Sequence, residues 1–237
     1  MPLRGIFFDL DETLVSYEPA ENAAFVATAA SMSGVSAAML RRAVVEAYVE
    51  DYRWGQPGFA RLATLPTRAL REELTVAALE RLGIDDNVAA LVEAHEAACN
   101  AQMYVFPEVH EVLAALKPDF ILGVITNGPG PMQREKLERF SLMPYFSVIG
   151  VDTEVGFTKP DKGIFEWAAA QAELKPEELL FVGNDPDSDI AGARNAGWKN
   201  ARIFRDGSGV IETEEPVLTT LRELLLLPAV AEVRQAG

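Results

Sequence analysis

Two strand-like runs bracket a long stretch that has none. Ile6-Phe7-Phe8 has the length and β-rich composition of a buried strand, and the next such run is Phe120-Ile121-Leu122-Gly123-Val124-Ile125. From Ala20 to about Met103 the chain is alanine-rich instead. Apolar residues recur there at three- and four-residue spacing in Ala37–Tyr48, Arg68–Leu82 and Val88–Gln102. Ser33-Gly34, Trp54-Gly55-Gln56-Pro57-Gly58 and Leu82-Gly83-Ile84-Asp85-Asp86-Asn87 separate these segments as breakers and caps. The spacing predicts a helical subdomain over residues 17–103, inserted after the first strand.

Beyond Phe106-Pro107 the pattern alternates. Glu108–Leu116 reads as a helix, Phe120–Ile125 as a strand closed by Thr126-Asn127-Gly128-Pro129-Gly130, and Met132–Phe140 as a helix. Tyr145–Val151 and Leu179–Val182 read as further strands, with helices at Asp161–Ala172 and Ser188–Asn195. Ala201–Phe204 reads as a last short strand before a leucine-rich C-terminal helix. Strands alternating with helices indicate a parallel sheet with right-handed crossovers. The expected fold class is α/β, a Rossmann-like parallel sheet made from residues 1–16 and 104–237 and carrying the helical insert.

The first run ends in Asp9 and Asp11. Residues at i and i+2 of an extended chain point the same way, so both carboxylates can face one cavity at the strand's carboxyl end. Ligands of open α/β sheets gather at that edge. Adjacent carboxylates repel unless a cation or a shared proton relieves them. Such a pair suits a nucleophile, an acid/base and a divalent metal, although Asp is also common in plain surface turns. Three more segments bring polar residues to the same edge. Thr126 and Asn127 sit before a glycine-rich turn whose backbone N–H groups can hold an anion. Thr158-Lys159-Pro160 offers a lone lysine, and Gly183-Asn184-Asp185-Pro186-Asp187-Ser188-Asp189 is an acidic loop opening onto a helix. Each alone is ordinary turn or cap chemistry; their order after successive strands sets them apart.

The net charge of −15, from 36 acidic and 21 basic residues, argues against a general nucleic-acid binder. A small anionic substrate remains compatible if a lysine and a metal sit in the pocket. The one cysteine, Cys99, excludes an internal disulfide and a cysteine-based zinc site, and reads as a small buried residue of a helix. No apolar run reaches the roughly 20 residues of a membrane helix, and the first residues lack a signal-peptide layout. A soluble cytoplasmic protein, monomer or homodimer, with no membrane partner is expected. His95 and His110 are assigned no chemistry, the Arg53-Trp54-Gly55 loop reads as a segment closing over a substrate or as an ordinary packed tryptophan, and Leu224–Leu227 reads as a core-facing helix or a dimer contact.

Asp9-Leu10-Asp11-Glu12-Thr13-Leu14 resembles the Asp-x-Asp-x-Thr signature of the haloacid dehalogenase (HAD) superfamily, in the branch with a C1-type helical cap after the first strand. Thr126 is similar to that family's second motif, Lys159 to its third, and Gly183–Asp189, running on to Gly197, to its fourth. The resemblance implies that Asp9 attacks phosphorus to give an aspartyl-phosphate, while Asp11 protonates the leaving oxygen and later takes a proton from water. It implies that the Thr126 hydroxyl and Asn127 N–H hold phosphoryl oxygens and that Lys159 offsets charge on the phosphoryl group and Asp9. It also implies Mg2+, held by Asp9, the Asp11 backbone carbonyl and the acidic loop. Asp189 would hold a metal-bound water or orient Lys159. One departure stands out: where the family has Gly-Asp-x-x-x-x-Asp, this chain has Asn184 first, with Asp185 beside it. Which of the two touches the metal stays open.

The resemblance implies a magnesium-dependent hydrolase of a small phosphorylated metabolite, its cap selecting the substrate. A 2-haloacid dehalogenase is the nearest rival; such relatives use a carboxylate nucleophile without metal and generally lack an acid at the position of Asp11. A sugar-phosphate mutase on the same scaffold and a non-catalytic binding member are more distant rivals.

Overall fold

The computed structural model describes residues 1–205 and 215–236. The chain opens with strand β1 (Gly5–Phe8), buried throughout, and leaves through the two-residue β2 (Val15–Ser16). Four helices follow: α1 (Glu18–Ala30), α2 (Ala37–Asp51), α3 (Thr67–Leu82) and α4 (Val88–Gln102). The chain returns through β3 (Tyr104–Val105) to α5 (Val109–Leu116), β4 (Ile121–Thr126) and α6 (Gly130–Arg139). Then come β5 (Val148–Val151), α7 (Asp152–Val155), α8 (Lys162–Ala172), β6 (Leu179–Gly183) and α9 (Ala191–Asn195). The described chain ends with β7 (Lys199–Ile203), β8 (Val217–Leu218) and α10 (Pro228–Ala236).

Six of these strands form one parallel sheet in the order β5-β4-β1-β6-β7-β8. β1 is central because its Gly-Ile-Phe-Phe run is apolar on both faces, as a strand covered on both sides must be. Phe8 lies level with Val124 on one side and Val182 on the other, so β1, β4 and β6 end side by side at the carboxyl edge. Phe7 packs edge-on against Trp198 at 5.1 Å, and Phe165 against Phe181 at 5.2 Å. Gly123 makes room for this layer, since a Cβ there would meet the Phe7 ring at 2.2 Å.

The chain divides into two compact units. One comprises Met1–Val15, Val105–Gly128 and Gln133–Gly237, the other Ser16–Tyr104 and Pro129–Met132. In the helical unit Ser36 caps α2 by accepting the Met39 N–H at 3.2 Å, and Asn87 caps α4 by accepting that of Ala90 at 3.2 Å. Its core is Phe25, Met32, Leu40, Leu79 and Leu91 with alanines between them, which explains the alanine-rich composition: small residues let helices approach. Burying each large side chain contributes about 1.5–3 kcal/mol.

Local departures from the periodicity have local causes. The strand expected over Tyr145–Val151 starts at Val148, because Met143–Tyr145, with Pro144, makes a 3-10 turn first. The helix expected from Ser188 begins as a π-helical turn, Pro186–Ile190, wound on the Asp185 side chain. The strand expected last is followed by β8, whose two residues are too few to show a period. The leucine-rich segment Leu221–Leu226 is a 3-10 helix, and Pro228 starts a separate α-helix. Cys99 is buried. Among the described residues no helix is long and apolar enough to cross a membrane.

Candidate active site

Every residue below belongs to the unit that carries the sheet. Asp9 follows β1 directly, is 7% exposed, and is fixed by its N–H donating to Val182 O at 2.9 Å. The chain then turns sharply, with Leu14 and Val15 N–H groups both donating to Leu10 O, so Asp11 returns beside the strand end. Lys159, 4% exposed, donates through Nζ to Asp9 Oδ1 at 2.6 Å and to Asp189 Oδ1 at 2.6 Å. One buried cation thus bridges two buried carboxylates.

Burial pushes the Asp9 carboxyl up to about 7; Lys159 pulls it back, while Asp189 and Asp11 add to the rise. Burial would lower the Lys159 ammonium, but Asp189 and Asp9 outweigh it and hold it above the ordinary lysine value. The two carboxylates thus favour the charged form of Lys159.

Asn127 fixes that lysine. Its Oδ1 accepts the Lys159 N–H at 2.9 Å and its Nδ2 donates to the Lys159 carbonyl at 3.1 Å, a two-point clamp on the backbone. Buried Asp152 braces the same turn, accepting the Gly128 N–H at 2.8 Å and the Thr158 hydroxyl at 3.0 Å. Burial raises the Asp152 carboxyl, against the pull of those donors.

The acidic loop divides its labour. Asp189, 1% exposed, takes Lys159 on one oxygen and the Asp185 N–H on the other at 3.0 Å. Gly183 allows this seat, since a Cβ there would stand 2.3 Å from Asp189 Oδ2. Asp185 is exposed and turns its Oδ1 back to cap the loop, accepting Asp187 N–H at 2.9 Å and Ser188 N–H at 2.7 Å. Burial opposes its charge, yet these donors hold its carboxyl below the usual range. Asn184 Oδ1 lies 3.5 Å from Thr13 Oγ1, beside the turn that follows Asp11. Among the described residues no three His, Cys, Asp or Glu side chains are grouped at metal-holding spacing.

Two residues that no sequence motif singles out complete the set. Lys136, on α6, donates through Nζ to both Asp11 oxygens, at 2.8 and 2.7 Å. Gln133, one helical turn earlier, shares its Nε2 among Asp11 Oδ2 at 3.1 Å, Thr126 Oγ1 at 2.6 Å and Asn127 O at 3.1 Å. Gln133 and Lys136 are 1% and 4% exposed, despite lying in a polar helix. Their i, i+3 spacing puts them on one helix face, but such a pair has the same pattern on a solvated face. Asp9, Lys159, Asp189, Asn127, Thr126 and Asp11 thus lie in one connected hydrogen-bond network.

An open parallel sheet with polar groups converging where β1, β4 and β6 end has its site at the topological switch point. The chain belongs to the haloacid dehalogenase-like hydrolases, whose family profile matches residues 3–197. It is 37% identical over 131 residues to the glyceraldehyde 3-phosphate phosphatase of Methanopyrus kandleri, an alignment spanning 54% of this chain and 56% of that one. It is 30% identical over 224 residues to the pyrimidine 5'-nucleotidase YjjG of Escherichia coli, covering 88% and 91%. Among solved structures, the 2-haloacid dehalogenase of Pseudomonas syringae superposes with a TM-score of 0.68 at 27% identity, covering 97% of this chain and 99% of that one. The HAD hydrolase YfnB of Bacillus subtilis, crystallised with magnesium, shares the fold at a TM-score of 0.67 and 20% identity, covering 96% and 99%.

Proposed function

We propose that this hydrolase is a magnesium-dependent phosphatase that cleaves small phosphomonoesters through an aspartyl-phosphate on Asp9. The observation that carries the reading is the pair of carboxylates two residues apart, each held by its own buried lysine: Asp9 by Lys159 and Asp11 by Lys136. A lone carboxylate nucleophile would serve carbon–halogen hydrolysis equally well. The second carboxylate gives the reaction an acid for the leaving alcohol.

Asp9 attacks phosphorus in line with the ester oxygen, which takes the proton of Asp11 as the P–O bond breaks. Asp11, now a carboxylate, removes a proton from water, and the hydroxide displaces Asp9 from phosphorus to release phosphate. Lys159 offsets the charge that gathers on the phosphoryl oxygens, and Thr126 and the Asn127 N–H bind those oxygens. The donor set suits a hard cation: the Asp9 carboxylate, the Asp11 carbonyl and the Asn184 amide oxygen are all oxygen ligands. Asn184 is preferred to Asp185 because Asp185 is turned into its own loop. Asp189 acts chiefly on Lys159. Magnesium would supply charge neutralisation between carboxylate and phosphate. The names of the phosphatase relatives support a phosphorylated metabolite as substrate.

The test is turnover of an aryl phosphate with magnesium, with chelator, and in Asp9→Asn. Magnesium-dependent release of phosphate that falls by about 10³-fold or more in the variant is expected. Turnover of 2-haloacids without metal, or no turnover of any phosphate ester in a broad panel, would overturn the reading.

A further inference from the structure

Lys136 is a lysine buried in the sheet-bearing unit, 4% exposed, on a helix that has solvent to offer its neighbours. Moving an ammonium out of water is costly unless a counter-charge meets it. The counter-charge is Asp11, engaged at both oxygens within 2.8 Å. Gln133 adds a third bond to Oδ2 and ties it to Thr126 Oγ1. A carboxylate three residues beyond a strand end, in a sharp turn, has no backbone reason to keep one rotamer. Three bonds from one face of α6 give it one.

We infer that Lys136, seconded by Gln133, is a positioning residue that aims Asp11 at the leaving oxygen. The inference rests on the phosphatase reading and deepens it: α6 joins the Thr126 end of β4 to the acid, so the phosphoryl-binding hydroxyl and the proton donor are held at a fixed separation. The fourth direction of the Asp11 carboxyl stays outside this three-bond set and carries the proton that passes to the ester oxygen. In this role Lys136 acts through Asp11.

A positioning role has a signature that simple loss of packing lacks. Proton donation matters for an alkyl phosphate, whose alkoxide is a poor leaving group, and matters little for a nitrophenyl phosphate, whose phenolate leaves unaided. The experiment measures kcat/KM, which reports steps up to formation of the aspartyl-phosphate, for both ester types in wild type, Lys136→Met and Lys136→Arg. In Lys136→Met the alkyl ester is expected to lose about 10²-fold and the nitrophenyl ester less than about 5-fold. Lys136→Arg, which keeps charge and donors, is expected to recover most of the alkyl activity. Equal losses for both esters would overturn the positioning role, as would a rise in KM with kcat unchanged, which would instead put Lys136 on the substrate. If Lys136→Met does not fold, as judged by its circular dichroism, Lys136→Gln carries the same comparison. Wild-type enzyme that hydrolyses neither ester would instead sink the phosphatase reading itself.

Discussion

Asp9 shows at the scale of one residue how a site stores cost. Its carboxyl is buried, Asp189 and Asp11 add to the rise, and Lys159 compensates. The folded pKa of about 7 lies above the ordinary 3.8, so between those values the folded protein binds the extra proton. Stability contributed by this group is therefore present at low pH and lost as pH rises through 7. In metal-free protein, Asp9→Asn removes the charge and keeps the shape. The variant is expected to melt above wild type at pH 8, with an advantage of a few kcal/mol that shrinks toward pH 4. Thermal melts in chelator across that range measure it. A variant less stable than wild type at pH 8 would mean that the bond to Lys159 outweighs burial. The expected gain fits the general pattern of functional groups held at the expense of stability.

The site's elements are each short, and their fit depends on a few close contacts. β6 ends in Gly183 because Asp189 folds back over it; the space a Cβ needs is filled by Asp189 Oδ2 at 2.3 Å. Gly183→Ala has to displace Asp189, a backbone-anchored carboxylate, and with it one of the two partners of Lys159. A loss of about 1–3 kcal/mol in stability is expected, from overpacking. A disproportionate fall in kcat, with KM nearly unchanged, should accompany it; steady-state kinetics beside a melt separate the two. Full activity in a folded Gly183→Ala would show that Asp189 is dispensable. Elements of this kind were partly legible in the sequence. β1 and β6 announced themselves as apolar runs, the first leading straight into Asp9 and the second into the Gly183–Asp189 loop, because burial on both faces leaves a continuous signature. Gln133 and Lys136 were not, since a polar pair on a helix looks the same whether it meets solvent or a carboxylate. The capping role of Asp185 was hidden too, because only coordinates show which way its oxygen turns.

For the molecule as a whole, the two units carry different acid sensitivities. In the helical unit His95 stacks edge-on against Phe25 at 4.9 Å. Burial lowers it to about 4, with the Arg71 charge adding to the fall and Glu96 opposing it. The unfolded chain takes up this proton near the ordinary 6.5, so stability is lost as pH drops from 6.5 toward 4, by about 3 kcal/mol in all. In the sheet-bearing unit Glu108 behaves otherwise. Burial works against its charge, but hydrogen bonds from Arg205 and from the Leu221 N–H hold its carboxyl at about 2. Its contribution stays intact above 4.5 and is lost only as pH falls from there toward 2, while protonating Asp9 favours the same unit between 7 and 4. Acidification from pH 7 to 4.5 is therefore expected to loosen the helical unit alone. Hydrogen exchange, corrected for intrinsic rates, should show protection falling by about 10²-fold in α1 and α4 but not in β1 and β6. His95→Leu should abolish the fall, because the substituted residue cannot titrate. Parallel loss in both units would mean that they unfold as one cooperative body, and an unchanged fall in His95→Leu would place the sensitivity in some other group.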